Sequence, residues 1–419
     1  MAEPRRVLIL AATTAYQVDD IAAAARRLGV DPMLGSDRCH VLAEVWPGGA
    51  LALDFRHPER AAAQVVEAAA ARPLAGVVAT DEKTALIAAL VASRLGLAHG
   101  SVAAARAASN KARFRETLRA AGLPQPAGAI VPAGADPEAA AERIGYPVVL
   151  KPLHLSASRG VMRADHPAEL AARAARLERL LADPAVAAID PEAAGHMMVE
   201  QFVPGPELAF EGLLARGRLH TLALFDKPDP LDGPFFAETI YVTPSRLSSS
   251  EQAQVVGAVG RAAAAIGLDE GPVHAELRMP RDRPPIVLEL AARSIGGLCG
   301  RVLRFGAGIS LEEVIVAHAV GLDPGDLARS GERAGGVMML PVHQPGVLVE
   351  VTGVDKARAI PGVRDLVLTA RVGDNLVPLP EGHSYAGFLF AGGDSPEEVV
   401  ASLRAAAARL RFHTRPLLA

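Results

Sequence analysis

Two short segments decide the fold: His274-Ala275-Glu276-Leu277-Arg278 and Ile286-Val287-Leu288-Glu289-Leu290-Ala291-Ala292-Arg293. Each is an apolar strand that carries an acidic residue, and the polar turn 280–284 between them predicts a hairpin. Acidic residues in such positions are almost never buried unless they are paired or bound to a metal ion. In a hairpin Glu276 and Glu289 can face one point, and two carboxylates together with phosphate oxygens suit Mg²⁺. The pattern therefore predicts a metal site on this hairpin.

Arg293 leaves the second strand towards the same point. Its planar guanidinium can hold a carboxylate or a phosphoryl group. The alternative interpretation is a structural salt bridge between Glu289 and Arg293. Gly296-Gly297 follow shortly after and leave open space where a bulky side chain would narrow a pocket for an acid.

A lysine ends another apolar strand, Tyr146-Pro147-Val148-Val149-Leu150-Lys151. A buried ammonium without a partner costs several kcal/mol, and an anion would supply that partner. The next loop, Leu153–Val161, is rich in small and hydroxyl residues, including Ser156 and Ser158. Such a loop can bring backbone N–H groups close to phosphate oxygens and can close over them as a lid. The alternative is an ordinary hairpin turn with a lysine that reaches solvent.

Two weaker signals lie before and after this strand. Ser109-Asn110-Lys111 opens a predicted helix, where a lysine is more often a solvated surface residue. Met198–Phe202 is an apolar strand ending in Glu200-Gln201, and a backbone edge of this kind can accept from and donate to adenine. Glu207, beyond a Pro-Gly-Pro turn, is placed to accept from ribose hydroxyls. The alternative is a strand followed by a turn with exposed acids.

Elsewhere the chain alternates apolar strands with Ala-rich helices. Over roughly the first 105 residues this order predicts a doubly wound parallel sheet, with Thr13, Thr14 and Thr80-Asp81-Glu82 at its ligand-binding edge or simply in loops and helix caps. We expect an α/β and α+β protein with three parts. They are an N-terminal domain at 1–108, a second domain at 109–334 with a lid subdomain at about 130–205, and a C-terminal α+β unit at 335–419.

Composition excludes several classes of function. The chain has 419 residues, too many for one compact core, and half of them are hydrophobic. A formal net charge of −4 and the lack of a basic run argue against nucleic acid as a partner. No apolar run reaches the roughly 20 residues that span a bilayer, so we expect no membrane partner.

The two cysteines, Cys39 and Cys299, are far apart and lack metal-ligand spacing. Two reduced thiols fit a cytoplasmic protein. Arg5-Arg6 followed by Val7–Ala12 superficially resembles a twin-arginine export signal. The apolar part is short, however, and is equally well interpreted as a buried first strand.

Taken in chain order, these segments resemble the signature of the ATP-grasp superfamily over about residues 105 to 300. The order is a lysine, a second lysine with a small-residue loop, a Glu-Gln-Phe-Val segment, a further glutamate, and then paired acids with an arginine. Four features look most like its L-amino-acid ligase branch, which includes bacilysin-type dipeptide synthetases and carnosine synthases. They are Asp81-Glu82-Lys83-Thr84, Ser109-Asn110-Lys111, Phe225-Asp226-Lys227 and the C-terminal α+β unit. The resemblance implies an ATP-grasp fold and a ligase that joins a carboxylate to an amine through an acyl phosphate, releasing ADP.

The resemblance also implies roles for individual residues. Arg293 and Lys151 would act in catalysis, and Mg²⁺, with Mn²⁺ as an alternative, would bind Glu276 and Glu289. Lys227, Glu238 and His274 would neighbour the site or serve the structure. The remaining implied residues would bind ATP: Lys111, Lys151, Ser156 and Ser158 the phosphates, Glu200, Gln201 and Val203 the adenine, and Glu207 the ribose.

One departure concerns the metal site. Many members of the superfamily have Asn two residues after the second acid, where this chain has Ala291. Two alternatives stay open. One is an ATP-grasp carboxylase or purine-pathway type of enzyme, since the ATP site is shared across the superfamily, although the Asn-containing Glu-x-Asn-x-Arg segment usual in biotin-dependent carboxylases is absent here. The other, suggested by Ala291, is a non-catalytic ATP-binding regulator. The resemblance further implies small carboxylate and amine substrates, such as amino acids, and a homodimer.

Overall fold

A computed structural model describes residues 4–13, 15–37, 46, 49–331 and 333–416. Its N-terminal part is a four-stranded sheet in the order β3-β2-β1-β4, and every strand pair is parallel. The strands are β1 (Arg6–Ala11), β2 (Asp31–Ser36), β3 (Ala50–Ala52) and β4 (Gly76–Ala79). The helices are α1 (Val18–Arg27), α2 (Pro58–Ala69) and α3 (Glu82–Leu95). Thr14 and Cys39 lie outside the described residues.

Strand β1 shows why this sheet is doubly wound. Val7 and Ile9 pack into the core on one face with Ile21 of α1, while Leu8 and Leu10 pack on the other with helices α2 and α3. A strand buried on both faces needs a continuous apolar run, which is what the sequence has here. The predicted parallel sheet is confirmed.

A pair of short helices, α4 (Val102–Ala108) and α5 (Lys111–Ala120), connects this part to the next. The helix expected to open at Ser109 begins at Lys111 instead, because Asn110 acts as its N-cap. The Asn110 side chain accepts from the backbone N–H groups of Ala112 and Arg113 at 3.0 and 3.2 Å. Lys111 thus opens the first turn of α5.

The next part, called the lid sheet here, is an antiparallel sheet in the order β5-β8-β6-β7. Its strands are β5 (Gly128–Pro132), β6 (Val148–Pro152), β7 (Met162–Ala164) and β8 (His196–Gln201). Its helices are α6 (Glu138–Ile144), α7 (Pro167–Leu181), α8 (Pro184–Ala187) and α9 (Pro191–Ala194). Helix α7 packs Leu170 and Leu177 onto the sheet in a separate core.

The remaining strands are, in chain order, β9 (Glu207–Ala215), β10 (Arg218–Asp226), β11 (Ile240–Thr243), β12 (Gly271–Arg278), β13 (Ile286–Ala291), β14 (Arg304–Phe305), β15 (Ile309–Ser310), β16 (Ala334–Leu340), β17 (Gly346–Thr352), β18 (Val363–Leu368), β19 (Asn375–Leu376), β20 (Gly387–Gly393) and β21 (Arg411–Arg415). The helices are α10 (Ser249–Ile266), α11 (Leu311–Ala319), α12 (Val354–Arg358) and α13 (Pro396–Ala407), with a 3₁₀ turn at Cys299–Val302.

Eight of these strands form the main sheet, in the order β13-β12-β9-β10-β11-β16-β20-β18. The predicted hairpin β12–β13 is present, and β9–β10 forms a second antiparallel hairpin in the same sheet. The main sheet also runs across the expected boundary at 334/335, because β11 pairs with β16. A small sheet, β19-β17-β21, completes the C-terminal unit. The domain limits given above remain a prediction.

Candidate active site

A cavity of about 310 Å³ lies where the N-terminal sheet, the lid sheet and the main sheet meet. This volume is within the range of small-molecule sites. Every site residue expected from the sequence lines the cavity: Lys111, Lys151, Ser156, Ser158, Glu200, Gln201, Val203, Glu207, Glu276, Glu289 and Arg293. The fold thus brings together side chains that are far apart in the sequence: Lys111 and Arg293 are separated by 182 positions.

The two predicted metal ligands are direct cross-strand partners. Glu276 of β12 is opposite Glu289 of β13 in the register of the hairpin, so their Cβ atoms are separated by about 5 Å. The Glu276 carboxylate lies 3.5 Å from the ammonium of Lys227, and that of Glu289 lies 3.4 Å from Lys111. Burial raises the pKa of Glu276 well above its usual value, with the charges of Glu238, Glu207 and Glu289 adding to the effect.

Arg293 does not pair with Glu289, as the alternative interpretation held, but with Glu82 at the start of α3. Its Nε donates to Glu82 Oε1 at 3.0 Å, and Nη2 donates to the same oxygen. Burial alone would raise the pKa of Glu82, but the Arg293 charge reverses this and lowers it. This pair brings a carboxylate from the N-terminal domain into the cavity. Asp81, beside it, caps α3 by accepting from the Thr84 N–H at 2.9 Å.

The two predicted phosphate lysines are held differently. Lys111 Nζ donates to the Leu155 carbonyl at 2.7 Å, at the base of the small-residue loop. Lys151 Nζ is buried and lies 2.5 Å from Glu200, which also pairs with the buried Arg115 at 2.5 Å. Desolvation lowers the pKa of Lys151 to about 8, even though the Glu200 charge opposes the shift.

The Glu200 carboxylate carries a firm negative charge in this network. Burial alone would raise its pKa, and the charges of Arg115 and Lys151 overcome that effect and lower it to about 2. The side chain of Glu200 is therefore an ion-pair partner of Lys151. Any contact of Glu200 with adenine would come from its backbone.

The segment after β8 offers a free backbone donor. The N–H groups of Gln201 and Phe202 donate to the carbonyls of Ala127 and Pro147 at 2.8 and 3.0 Å. Val203 lines the cavity, and its N–H has no hydrogen-bond acceptor among the described residues. An unpaired N–H of this kind can donate to a ring nitrogen of adenine.

Glu207, predicted to hold ribose, already has two cationic partners. Its Oε1 accepts from Lys227 at 2.8 Å and its Oε2 from Arg278 at 2.9 Å. Lys227 also donates to Glu238 at 2.7 Å. The carboxylates of Glu207, Glu238 and Glu276 come within 4.8 Å of one another, but the ammonium of Lys227 offsets their charge. We therefore do not regard these three residues as a metal site.

The loop over the lysines has an unusual backbone. Ala157 and Ser158 have φ values of 53° and 55°, in the left-handed region. For residues other than glycine this costs roughly 1–2 kcal/mol each. Such a conformation persists only where the surrounding structure holds it in place.

His274 and Glu211 form a buried pair that local sequence patterns do not predict. Glu211 is fully buried, lies 3.3 Å from His274 and accepts from the Ile295 N–H at 3.0 Å. Burial raises the pKa of Glu211. The signal for this acid was present, since Glu211 lies in an apolar strand just as Glu276 does. Arg115 gave no such signal, because it lies in a helix rich in basic residues.

The donor set fits a magnesium ion bound together with a nucleotide. Glu276 and Glu289 supply carboxylate oxygens from opposed positions, and Mg²⁺ keeps several waters when it binds to phosphates. Ala291 also lines the cavity and adds no ligand atom. Water can take the position that an asparagine would otherwise fill.

Comparison with known families identifies three domains in the chain. Residues 144–302 match the ATP-grasp domain, 22–99 the ATP-grasp N-terminal domain, and 338–415 the L-amino acid ligase C-terminal domain 2. The chain is an ATP-grasp protein. Its ATP-grasp fold, with a parallel N-terminal sheet and antiparallel sheets after it, is as predicted.

Two relatives of this ATP-grasp protein illustrate the comparison: one is named as a ligase, and the other has no stated activity. It is 30% identical over 216 residues to alanine–anticapsin ligase of Bacillus subtilis, covering 48% of this chain and 45% of that one. The Sinorhizobium fredii protein y4rH is 30% identical over 268 residues, which are 64% of this chain and 53% of that one. The ATP-grasp protein thus spans about half the length of these curated relatives.

A solved structure is similar over the whole chain. The L-amino acid ligase from Bacillus licheniformis superposes with a TM-score of 0.85 at 25% identity, covering 99% of this chain and all of that one. In the described part of the ATP-grasp protein, the helices lack the length and apolar character needed to cross a bilayer. Cys299 is a buried free thiol.

Proposed function

We propose that the protein is an ATP-dependent carboxylate–amine ligase that forms an amide or peptide bond through an acyl phosphate. One observation carries the proposal: the opposed pair Glu276 and Glu289 faces a cavity that also holds two lysines and an arginine. This is the donor set that an acyl-phosphate reaction needs, with cations around a transferring phosphoryl group. The names of the relatives support amino acids as substrates.

The chemistry follows from the positions of these groups. A substrate carboxylate attacks the γ-phosphorus of ATP in line, and ADP leaves. Lys111, Lys151 and Arg293 offset the charge that spreads over the transferring group. Bound at Glu276 and Glu289, Mg²⁺ would neutralise phosphate oxygens. The amine of the second substrate then attacks the acyl carbon and phosphate is released.

Positioning is the main contribution of the protein. The Val203 N–H and the backbone of Glu200 and Gln201 would orient the adenine, and Glu207 the ribose. The Ser156–Ser158 loop would cover the phosphates and exclude water, which would otherwise hydrolyse the mixed anhydride. Arg293 would hold the acyl phosphate while its partner Glu82 fixes the guanidinium.

The same proposal includes Mn²⁺ as an alternative to Mg²⁺, a homodimer, and a cytoplasmic location suggested by the two cysteines. The test is phosphate release across a matrix of carboxylates and amines, followed by mass spectrometry of the product. An amide formed with ADP is the expected result. ADP release that depends on bicarbonate, or nucleotide binding without ADP from any pair, would contradict the proposal.

A further inference from the structure

We infer that Glu381 is a positioning residue that holds the phosphate-covering loop closed, through a turn of the C-terminal unit called the strap here (residues 378–385). This inference rests on the proposed function for its consequence in catalysis. Its structural part concerns two segments that are far apart in the sequence, the loop 154–160 and the strap.

Four hydrogen bonds join the strap to helix α7 and to the loop 154–160. Arg176 of α7 holds the Glu381 carboxylate with two parallel bonds, Nε to Oε1 at 2.6 Å and Nη2 to Oε2 at 2.8 Å. Arg159 Nε donates to the Glu381 carbonyl at 2.7 Å, and the Gly160 N–H donates to the Pro380 carbonyl at 2.8 Å. A bidentate arginine–carboxylate pair fixes orientation as well as distance.

These bonds attach directly beside the strained part of the loop. Ala157 and Ser158 have the left-handed backbone described above, and the next two residues, Arg159 and Gly160, are the ones bound to the strap. Strained backbone persists only when neighbouring contacts over-determine it. The strap supplies such contacts from outside the lid, so the loop can stay closed before any nucleotide contributes.

The strap is itself a hydrogen-bonded turn with a defined backbone conformation. The Gly382 N–H donates to the Pro378 carbonyl at 2.9 Å. A Cβ on Gly382 would lie 1.8 Å from the Val377 carbonyl oxygen, so this close turn requires glycine. Glu381 is therefore presented to Arg176 by a turn of defined shape.

The other end of the strap reaches the candidate active site. His383, Ser384 and Tyr385 line the cavity that holds the predicted site residues. The Tyr385 hydroxyl donates to Glu238 at 3.4 Å. The strap therefore contacts both the loop above the phosphates and the wall of the substrate cavity. Because Glu381 holds the loop 154–160 closed, water is kept away from the acyl phosphate, which then reacts with the amine.

The first test is hydrogen–deuterium exchange of residues 154–160 in the protein without nucleotide. Glu381→Gln should increase their exchange about two- to fivefold, the range for a partly exposed ion pair. The charge-swapped double variant Arg176→Glu/Glu381→Arg should return it towards the wild-type rate. The control is Asp54→Asn, which removes an equally bidentate pair with Arg56 far from the lid. Unchanged exchange in Glu381→Gln, or no recovery in the double variant, would overturn the inference.

The second test is the ratio of amide formed to phosphate released. Water attacking the acyl phosphate returns the free acid and phosphate, so ATP is used without amide. Glu381→Gln should lower this ratio about two- to fivefold, and an unchanged ratio would also overturn the inference. If the wild-type protein makes no amide from any pair, the proposed function fails. The exchange experiment then decides the role of Glu381 by itself.

Discussion

The Lys151 ammonium lies 2.5 Å from the Glu200 carboxylate, and both side chains are buried at the edge of the candidate active site. Two more cations, Arg115 and Lys111, are close enough to oppose the charge of Lys151. The result is a lysine whose pKa is lowered to about 8 although it has a carboxylate partner. A further anion nearby would stabilise the charged form of Lys151, and the phosphates of ATP would supply such an anion.

This relationship predicts proton uptake when nucleotide binds at alkaline pH. Because the pKa of Lys151 is about 8 in the free protein, the lysine loses its proton as pH rises above that value. Bound phosphate favours the ammonium form and raises the pKa, so binding at pH 9 should take up a proton while binding at pH 7 should not. Calorimetry of ADP binding in buffers of different ionisation enthalpy measures this. Equal proton counts at the two pH values would contradict the assignment.

Replacing Lys151 with methionine should reduce ADP formation by about 10²–10³-fold in kcat/KM, as expected for loss of one preorganised charge. The fold should survive, because Glu200 keeps Arg115 as a partner. Lys356→Met, at an exposed lysine of α12, is the matched control and should leave the rate unchanged. Near-normal ADP production by the Lys151 variant, with circular dichroism showing intact structure, would refute the role.

Removing either predicted metal ligand should weaken the response to magnesium. We expect Glu276→Gln and Glu289→Gln each to raise the Mg²⁺ concentration for half-maximal ADP formation by about tenfold or more. EDTA should abolish activity of the wild type, and added Mg²⁺ should restore it. Glu397→Gln, at an exposed acid of α13, serves as the control. Identical magnesium titrations for wild type and both site variants would rule out the metal site.

Replacing Gly296 or Gly297 with alanine should have different effects, one on substrate binding and the other on stability. Gly297 has φ +64°, and an added Cβ would lie 2.8 Å from Phe388, so Gly297→Ala should lower the free energy of unfolding by about 1–3 kcal/mol. At Gly296 the same Cβ meets only Arg293, at 3.7 Å. Gly296→Ala should keep its stability and raise KM more for branched than for small carboxylate substrates. Urea unfolding and substrate titrations test the two variants, and equal unfolding curves would contradict the contrast.

Arg115 should be important for stability. It donates to Glu200 and to the carbonyls of Val287 and Leu288 at 3.3 and 2.7 Å, and it is almost fully buried. Arg115→Met should lower the free energy of unfolding by roughly 3–5 kcal/mol, because buried partners lose their cation. Arg113→Met, two positions away and exposed, should change it little. Matching denaturation midpoints for the two variants would show that Arg115 contributes less than its contacts imply.

Local patterns in the sequence predicted most of the fold. The hairpin β12–β13 follows from two apolar runs around a polar turn, and β1 follows from an apolar run buried on both faces. The break before α5 was not predicted, since Asn110 was read as part of the helix that it caps. Capping of this kind depends on one side-chain bond and not on hydrophobic periodicity.

The site was predictable where its residues lie in one strand or one hairpin, as with Glu276 and Glu289. Pairings between distant parts of the chain were not. Glu82 and Arg293 are separated by 211 positions, and nothing near either residue indicates the other. The same holds for Glu381 and Arg176, which are 205 positions apart. Only the assembled sheets show which charges meet.

The pairing of β11 with β16 limits how this protein can be recombined with its relatives. Ile240–Thr243 takes its ladder partners from 335–338, beyond the expected end of the second domain. A chimera joined at position 334 would force two foreign strands to match one register in the middle of a sheet, and a chain cut there would leave an open, aggregation-prone strand. Crossover points for exchanging substrate preference therefore belong in loops outside β9–β20, since β9 itself pairs with both β10 and β12.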